Sequence, residues 1–139
     1  MPYRKVTMRS FRGDDEGLLF AVAKLAFTEG DDRRTLATLA RDTVFVAELA
    51  GEPAGYVAIE ESAAALRIEQ LCVHPAHEKE GVGKQLLEWA EGYAISERAA
   101  RLEVVVEADN RRALDFYRGR GFSEAGENLL ELRLPLASS

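Results

Sequence analysis

The 139-residue chain predicts one mixed α/β (α+β) domain: a central, mostly antiparallel sheet of about six to seven strands with one parallel pair, flanked by about four helices. Three observations predict it. Short apolar runs at 43–49, 55–59 and 66–73 are joined by turn-rich links and follow one another as a meander. The run at 66–73 passes through a glycine turn into an amphipathic helix and then a strand at 102–106. A strand, helix, strand succession of this length is a right-handed crossover, which makes those two strands parallel. The composition, 47% apolar and 30% charged, is that of a globular chain, and 139 residues suffice for one core but not for a second domain.

The elements follow in order. Residues 3–11 carry Val6, Met8 and Phe11 in near alternation and read as a first strand at an edge of the sheet. From Asp14 and Asp15, the spacing of Leu19, Val22, Ala23 and Ala26 is helical, with acidic residues at the positive end of the dipole. Arg33 to Arg41 reads as a second, shorter helix with Leu36, Leu39 and Ala40 inward. Thr43 to Leu49 and Gly55 to Ile59 flank Ala50-Gly-Glu-Pro53 and suggest a hairpin, and 60–65 is expected as the next turn. Leu66 to Val73 is apolar enough for a central strand covered on both faces. Val82, Leu86, Leu87, Ala90, Tyr93 and Ala94 share one face of the longest helix, expected to reach Ala99. After the strand at 102–106, Asp109-Asn110 opens a helix that Gly119 and Gly121 end, and Phe122–Ala125 with Leu129–Leu134 form a terminal hairpin.

Composition excludes several classes. No apolar run approaches the roughly 20 residues of a membrane span, and Met1 to Lys5 lead into no signal-like core, so a cytoplasmic address is expected. Cys72 is the single cysteine, which rules out an internal disulfide and leaves any metal site to scattered carboxylates and two histidines. His74 and His77 flank a proline without an evident third ligand, and no metal is expected. A net charge of -6 argues against nucleic acid, whose phosphates need excess Lys and Arg, and favours a cationic partner.

The segment from Val73 to Lys84 carries the chemistry. A strand running through Gly81-Val-Gly83 into a helix offers unpaired backbone N–H groups and the positive end of a dipole, which suits a phosphate. Both glycines would permit close approach and dihedral angles closed to other residues. Two familiar phosphate loops fail here. A P-loop needs glycine where Glu78 stands and Ser or Thr where Gln85 stands, and a dinucleotide fingerprint needs a small residue in place of Leu86.

Taken together, Leu71-Cys-Val-His-Pro75, Gly81-Val-Gly83 and Asn110-Arg-Arg-Ala-Leu-Asp-Phe-Tyr117 followed by Gly121-Phe122 resemble the GNAT superfamily of acetyl-CoA-dependent N-acetyltransferases. The likeness covers nearly the whole chain and is most specific from Leu66 to Phe122. The family's glycine signature opens with Gln or Arg where this chain has Glu78. The resemblance implies that strand 66–73 splays from its parallel neighbour and pairs with the pantetheine arm of acetyl-CoA through Leu71, Cys72 and Val73. It further implies that the amides of Lys79, Glu80, Gly81, Val82, Gly83 and Lys84 hold the pyrophosphate, that Asn110 lies near the cofactor arm, and that Tyr117 lies beside the thioester sulfur.

The chemistry wants these types. An amine attacks only when neutral, yet a lysine-like amine titrates at about 10.4, so a base must take its proton. Glu69, two residues before Leu71, is the first candidate for base or proton relay. The departing thiolate needs a proton, and a phenol titrating at about 10 can supply it at neutral pH, the role implied for Tyr117. The tetrahedral oxyanion would be met by the Val73 N–H. Each residue also has a plainer reading: Tyr117 a core aromatic, Asn110 a helix N-cap, Glu69 a solvated or ion-paired strand residue, Cys72 a small buried hydrophobe, Lys79 and Lys84 surface cations. The expected function is acetyl transfer to a primary amine of a small molecule or peptide by direct attack in a ternary complex, with a non-catalytic acyl-CoA-binding module as the alternative. A homodimer through terminal strands such as 129–134 would follow by analogy with the family.

Overall fold

The structure is a computed structural model and describes residues 5–12, 43–62, 64–77 and 81–135. Within them the chain forms β1 (Thr7–Ser10), β2 (Thr43–Leu49), β3 (Glu52–Glu61), β4 (Ala65–Val73), a 3-10 turn (Pro75–His77), α1 (Val82–Ser96), β5 (Arg101–Val105), α2 (Arg111–Gly119), β6 (Ser123–Gly126) and β7 (Leu129–Arg133). The strands make one seven-stranded sheet in the order β1-β2-β3-β4-β5-β7-β6. Among its neighbours only β4 and β5 run parallel, as the crossover predicts. The expected helices from Asp14 and over Arg33 to Arg41 lie outside the described residues, so two of the roughly four flanking helices are seen.

Handedness places those two helices. β5 and β6 each run antiparallel to β7 and therefore parallel to one another. The crossovers β4-α1-β5 and β5-α2-β6 both step the same way along the sheet, so right-handed connections put α1 and α2 on one face. The buried residues agree. Leu86, Leu87, Ala90 and Ala94 of α1 and Tyr117 of α2 share a core with Val57, Ile59, Leu66, Ile68, Leu102 and Val104. Val44, Val46, Tyr56, Ala58 and Cys72 form a separate cluster from the alternate strand positions, on the opposite face.

Local chemistry sets the ends of the elements. The β2–β3 link tightens to Ala50 and Gly51, both with positive φ (54° and 82°), the mirror-image turn that matches strand twist. Glu52 and Pro53 therefore join β3 instead of the expected four-residue link. Among the described residues the expected edge strand over 3–11 forms at Thr7–Ser10, and its one described partner is β2, at the sheet's margin. α1 ends at Ser96, three residues before the expected Ala99, and Arg98 follows with a φ of 61°.

The terminal hairpin forms in the expected place, but its second strand lies inward. β7 is paired by β5 from Leu129 to Arg133 and by β6 over Leu129 to Glu131, so among the described strands β6, not β7, is the margin of the sheet. No described helix is long and apolar enough to cross a membrane.

Candidate active site

β4 changes character half-way along. On the β3 side its pairing runs from Leu66 to Val73, which lies opposite Gly55. On the β5 side the parallel ladder covers Ala65 to Ile68 and stops at Val104. Glu69 to Val73 therefore have no strand along their β5-facing edge among the described residues. A backbone edge with unmet donors and acceptors can take an extended ligand as an added strand.

A β-bulge sits where the two strands part. Ala58 pairs Gln70 while the next residue, Ile59, pairs Ile68, so Glu69 is the extra residue on β4. The bulge resets the alternation of β4. Leu66 and Ile68 belong to the helix-covered core, and beyond the bulge Leu71 and Val73 pack against that same core while Cys72 joins the opposite cluster. Glu69 itself is half-buried and already engaged by a neighbour.

The turn after β4 is held from both ends. The first bulge of the sheet, between β2 and β3, leaves Ala54 unmatched, and its carbonyl accepts from the His74 N–H at 2.8 Å. The His74 carbonyl accepts from the His77 N–H at 2.8 Å, and its Nδ1 accepts from the Ala76 N–H at 3.0 Å. His74 thus works as the cap of a 3-10 turn. Among the described residues no cluster of three metal-ligating side chains occurs.

α1 then starts on Gly81, whose φ of 79° and ψ of 13° are left-handed. That conformation is the reason for glycine here. Gly83, by contrast, lies inside the helix, and a Cβ there would meet Val73 Cγ2 at an ordinary 3.5 Å, so the dihedral argument made for both glycines holds for Gly81 alone. Among the described residues no side chain caps the helix, and the Gln85 N–H donates to the Gly81 carbonyl at 3.1 Å across its first turn. The amides of Val82, Gly83 and Lys84 precede that bond and sit at the positive end of a 15-residue helix. Lys84 is half-buried with a partner of its own, while Glu78, Lys79 and Glu80 lie outside the described residues.

Tyr117 lies on the last turns of α2, with rings of Phe116 and Phe122 edge-on at 5.2 and 5.4 Å. Its residue surface is 5% exposed, yet its hydroxyl has no hydrogen-bond partner among the described residues. A tyrosine serving only as core would have its buried hydroxyl satisfied. Burial pushes the phenol's pKa well above its ordinary value, and the nearby Cys72 thiol adds to the rise. The group is a proton donor at neutral pH. Asn110 is exposed and caps α2, its side chain accepting from the Ala113 N–H at 3.2 Å.

Cys72 is buried, and burial lifts its pKa to about 11, against a smaller opposing pull from the Tyr56 hydroxyl. A neutral, enclosed thiol is a poor nucleophile. Two residues that the sequence reading passed over also shape this end of β4. A Cβ on Gly55 would meet the Cys72 carbonyl oxygen at 2.5 Å and Val73 Cα at 3.3 Å, so glycine lets β3 close on the open half of β4. A lone glycine within an apolar strand is the signal for such an approach. Tyr56, opposite Cys72, is wholly buried and donates to Gln70 Oε1 at 2.6 Å.

The chain is similar to known proteins in sequence and in fold. A family model described as Acetyltransferase (GNAT) family matches residues 10–122. An uncharacterised N-acetyltransferase of Methanocaldococcus jannaschii is 31% identical over 90 residues, which span 60% of this chain and 40% of that protein. Among solved structures, the ribosomal-protein-S18-alanine N-acetyltransferase of Escherichia coli superposes with a TM-score of 0.81 at 19% identity, over 97% of this chain and 96% of the other. The PaiA N-acetyltransferase of Thermoplasma acidophilum, solved in complex with coenzyme A, gives 0.79 at 18% identity over 93% and 99%.

Proposed function

The chain belongs to the acetyltransferase (GNAT) family, and from that premise we propose that it moves an acetyl group from acetyl-CoA to a primary amine of a small molecule or peptide, by direct attack in a ternary complex. The observation that carries this reading is the buried hydroxyl of Tyr117, without a hydrogen-bond partner among the described residues, together with the edge that β4 leaves unpaired where its ladder with β5 ends.

The fit of acetyl-CoA rests on two features of the chain. The edge of Leu71 to Val73 suits the amide-bearing pantetheine arm, as an added strand. The uncapped start of α1 after Gly81 suits the pyrophosphate. The M. jannaschii relative is an N-acetyltransferase by name and the T. acidophilum neighbour binds coenzyme A, which supports the same assignment.

Each residue then has a task. Glu69, directly or through water, takes the proton that the ammonium form of the acceptor must lose. The Val73 N–H donates to the carbonyl oxygen as it gains charge. Tyr117 gives its proton to the departing sulfur, and its raised pKa keeps that proton available across the neutral range. Cys72 stays a protonated thiol in the wall, which argues for direct transfer over an acetylated enzyme.

Binding is tested first. Acetyl-CoA should raise the melting temperature, because a ligand held by the native state stabilises it, and Gly81→Val should abolish that rise in a protein that still folds. A protein indifferent to saturating acetyl-CoA would remove the proposal. Binding without release of CoA thiol across a panel of amines would leave the non-catalytic module.

A further inference from the structure

Gln70 follows the Glu69 bulge at the point where β4 and β5 separate, and its residue surface is 6% exposed. Its Oε1 accepts from the Tyr56 hydroxyl at 2.6 Å. Among the described residues nothing accepts from its Nε2. Two amide N–H donors are thus kept from water without an acceptor among the described residues, an arrangement that costs free energy unless something else supplies one.

The surroundings fix which end of the amide is presented. Tyr56 is wholly buried on the strand opposite, next to the Cys72 thiol, and it engages the carbonyl end of Gln70. The amino end is what remains to meet a ligand. Such a group repels an ammonium, which can only donate, and matches an oxygen. The pantetheine oxygens are expected along the backbone edge of β4, in the plane of the sheet. The Gln70 side chain belongs instead to the face that carries Tyr56 and Cys72, one bulge away from the candidate base Glu69.

We propose that Gln70 reads the acceptor: its Nε2 donates to a carbonyl or carboxylate oxygen one carbon removed from the attacking amine. The favoured acceptors are α-amino acids, their amides or peptide amino termini, over alkylamines and polyamines. This rests on the acetyl-transfer reading above, and it names the substrate class of that same site.

The test compares L-alaninamide with 3-methylbutan-2-amine, which has nearly its shape and no oxygen. With acetyl-CoA and the wild-type protein, kcat/KM should favour alaninamide at least tenfold. Gln70→Glu keeps an oxygen for the Tyr56 hydroxyl and removes the amide donors. It should lose tenfold or more on alaninamide, mainly through KM, with the oxygen-free amine and the Kd for acetyl-CoA unchanged. Equal wild-type rates on the two amines overturn the proposal, as does an equal loss on both, or a loss confined to acetyl-CoA affinity. Should Gln70→Glu fail to fold, Gln70→Met, close in shape and without donors, takes its place with the same expectations. A readout free of turnover covers a slow enzyme: alaninamide, and not the oxygen-free amine, should raise the melting temperature of the CoA-saturated wild type, and Gln70→Glu should abolish the rise. No rise with alaninamide overturns the proposal. Failure to bind acetyl-CoA at all would sink the acetyl-transfer reading itself, a result distinct from every one of these.

Discussion

The first four residues of β4 and its last five share one strand but live in different surroundings. Leu66 to Ile68 are paired on both sides, and Ala65, Leu66 and Ile68 are at most 3% exposed. Beyond the Glu69 bulge, Gln70 to Val73 are paired by β3 alone among the described strands, and Glu69, Leu71 and Val73 are only half-buried. The closed half is made of satisfied backbone and close-packed side chains, so its worth is stability. The open half leaves backbone groups unpaired on its β5 side and, among the described residues, the buried Gln70 amide without an acceptor, and the Tyr117 hydroxyl of α2 is likewise buried without a partner, so its worth is binding. One bulged residue separates them.

Substitutions can break that contrast. The largest effect is expected at Tyr117, the α2 residue that senses Cys72 of the open half: Tyr117→Phe should lower kcat by roughly 10² to 10⁴ while the melting temperature holds, because the buried hydroxyl has no partner to lose among the described residues. An unchanged kcat would return Tyr117 to the core. Next comes the closed half, where Ile68→Ala should cost about 2–5 kcal/mol in urea unfolding. The half-exposed Leu71→Ala should cost only about 1 kcal/mol. Equal losses at 68 and 71 would erase the distinction between the halves.

Gly55→Ala sharpens it further. The added methyl meets the Cys72 carbonyl oxygen at 2.5 Å and Leu86 Cδ1 at 3.2 Å, so β3 must draw back from the open half at a cost of about 1–3 kcal/mol. Acetyl-CoA titration should show weaker binding than the stability loss alone accounts for. The last effect is confined to alkali. Cys72 rises from 9.0 to about 11 on folding, so between those values the unfolded chain sheds a proton that the native one keeps. Stability from this group is complete below pH 9 and is lost as pH rises towards 11, on the order of 2–3 kcal/mol. Cys72→Ala should flatten that part of a melting-temperature profile; a flat wild-type profile would contradict the burial argument.

Much of this was legible in the residues, for identifiable reasons. The β4-α1-β5 unit announces itself because Val82, Leu86, Leu87, Ala90 and Ala94 repeat with a helical period between two apolar runs. Gly81 is readable because its turn needs a left-handed residue, and Asn110 because an amide side chain is a preferred N-cap. The bulge was harder. Its trace is the three-residue step from Ile68 to Leu71 where a flat strand would step by two, and a two-residue polar break looks the same as an unremarkable polar insertion. The Tyr56–Gln70 bond joins residues 14 apart, and nothing local to Gln70 says that its strand neighbour carries a hydroxyl. Glu69's charge was visible, while the bulge that positions it depends on β3. The place of β7 was hidden for the same reason, since strand order is decided by partners far along the chain.

That placement has a consequence for synthesis. β5 is the parallel member of the splayed pair, and its second neighbour is β7, made after β6. As the chain leaves the ribosome, residues 101–105 wait with one edge bare until 129–133 emerge and slide between them and β6. Pairing of this kind closes a long loop late and exposes strand edges meanwhile. The half of the sheet next to the open edge of β4 is therefore completed after the other half and is the more in need of protection while the protein is being born.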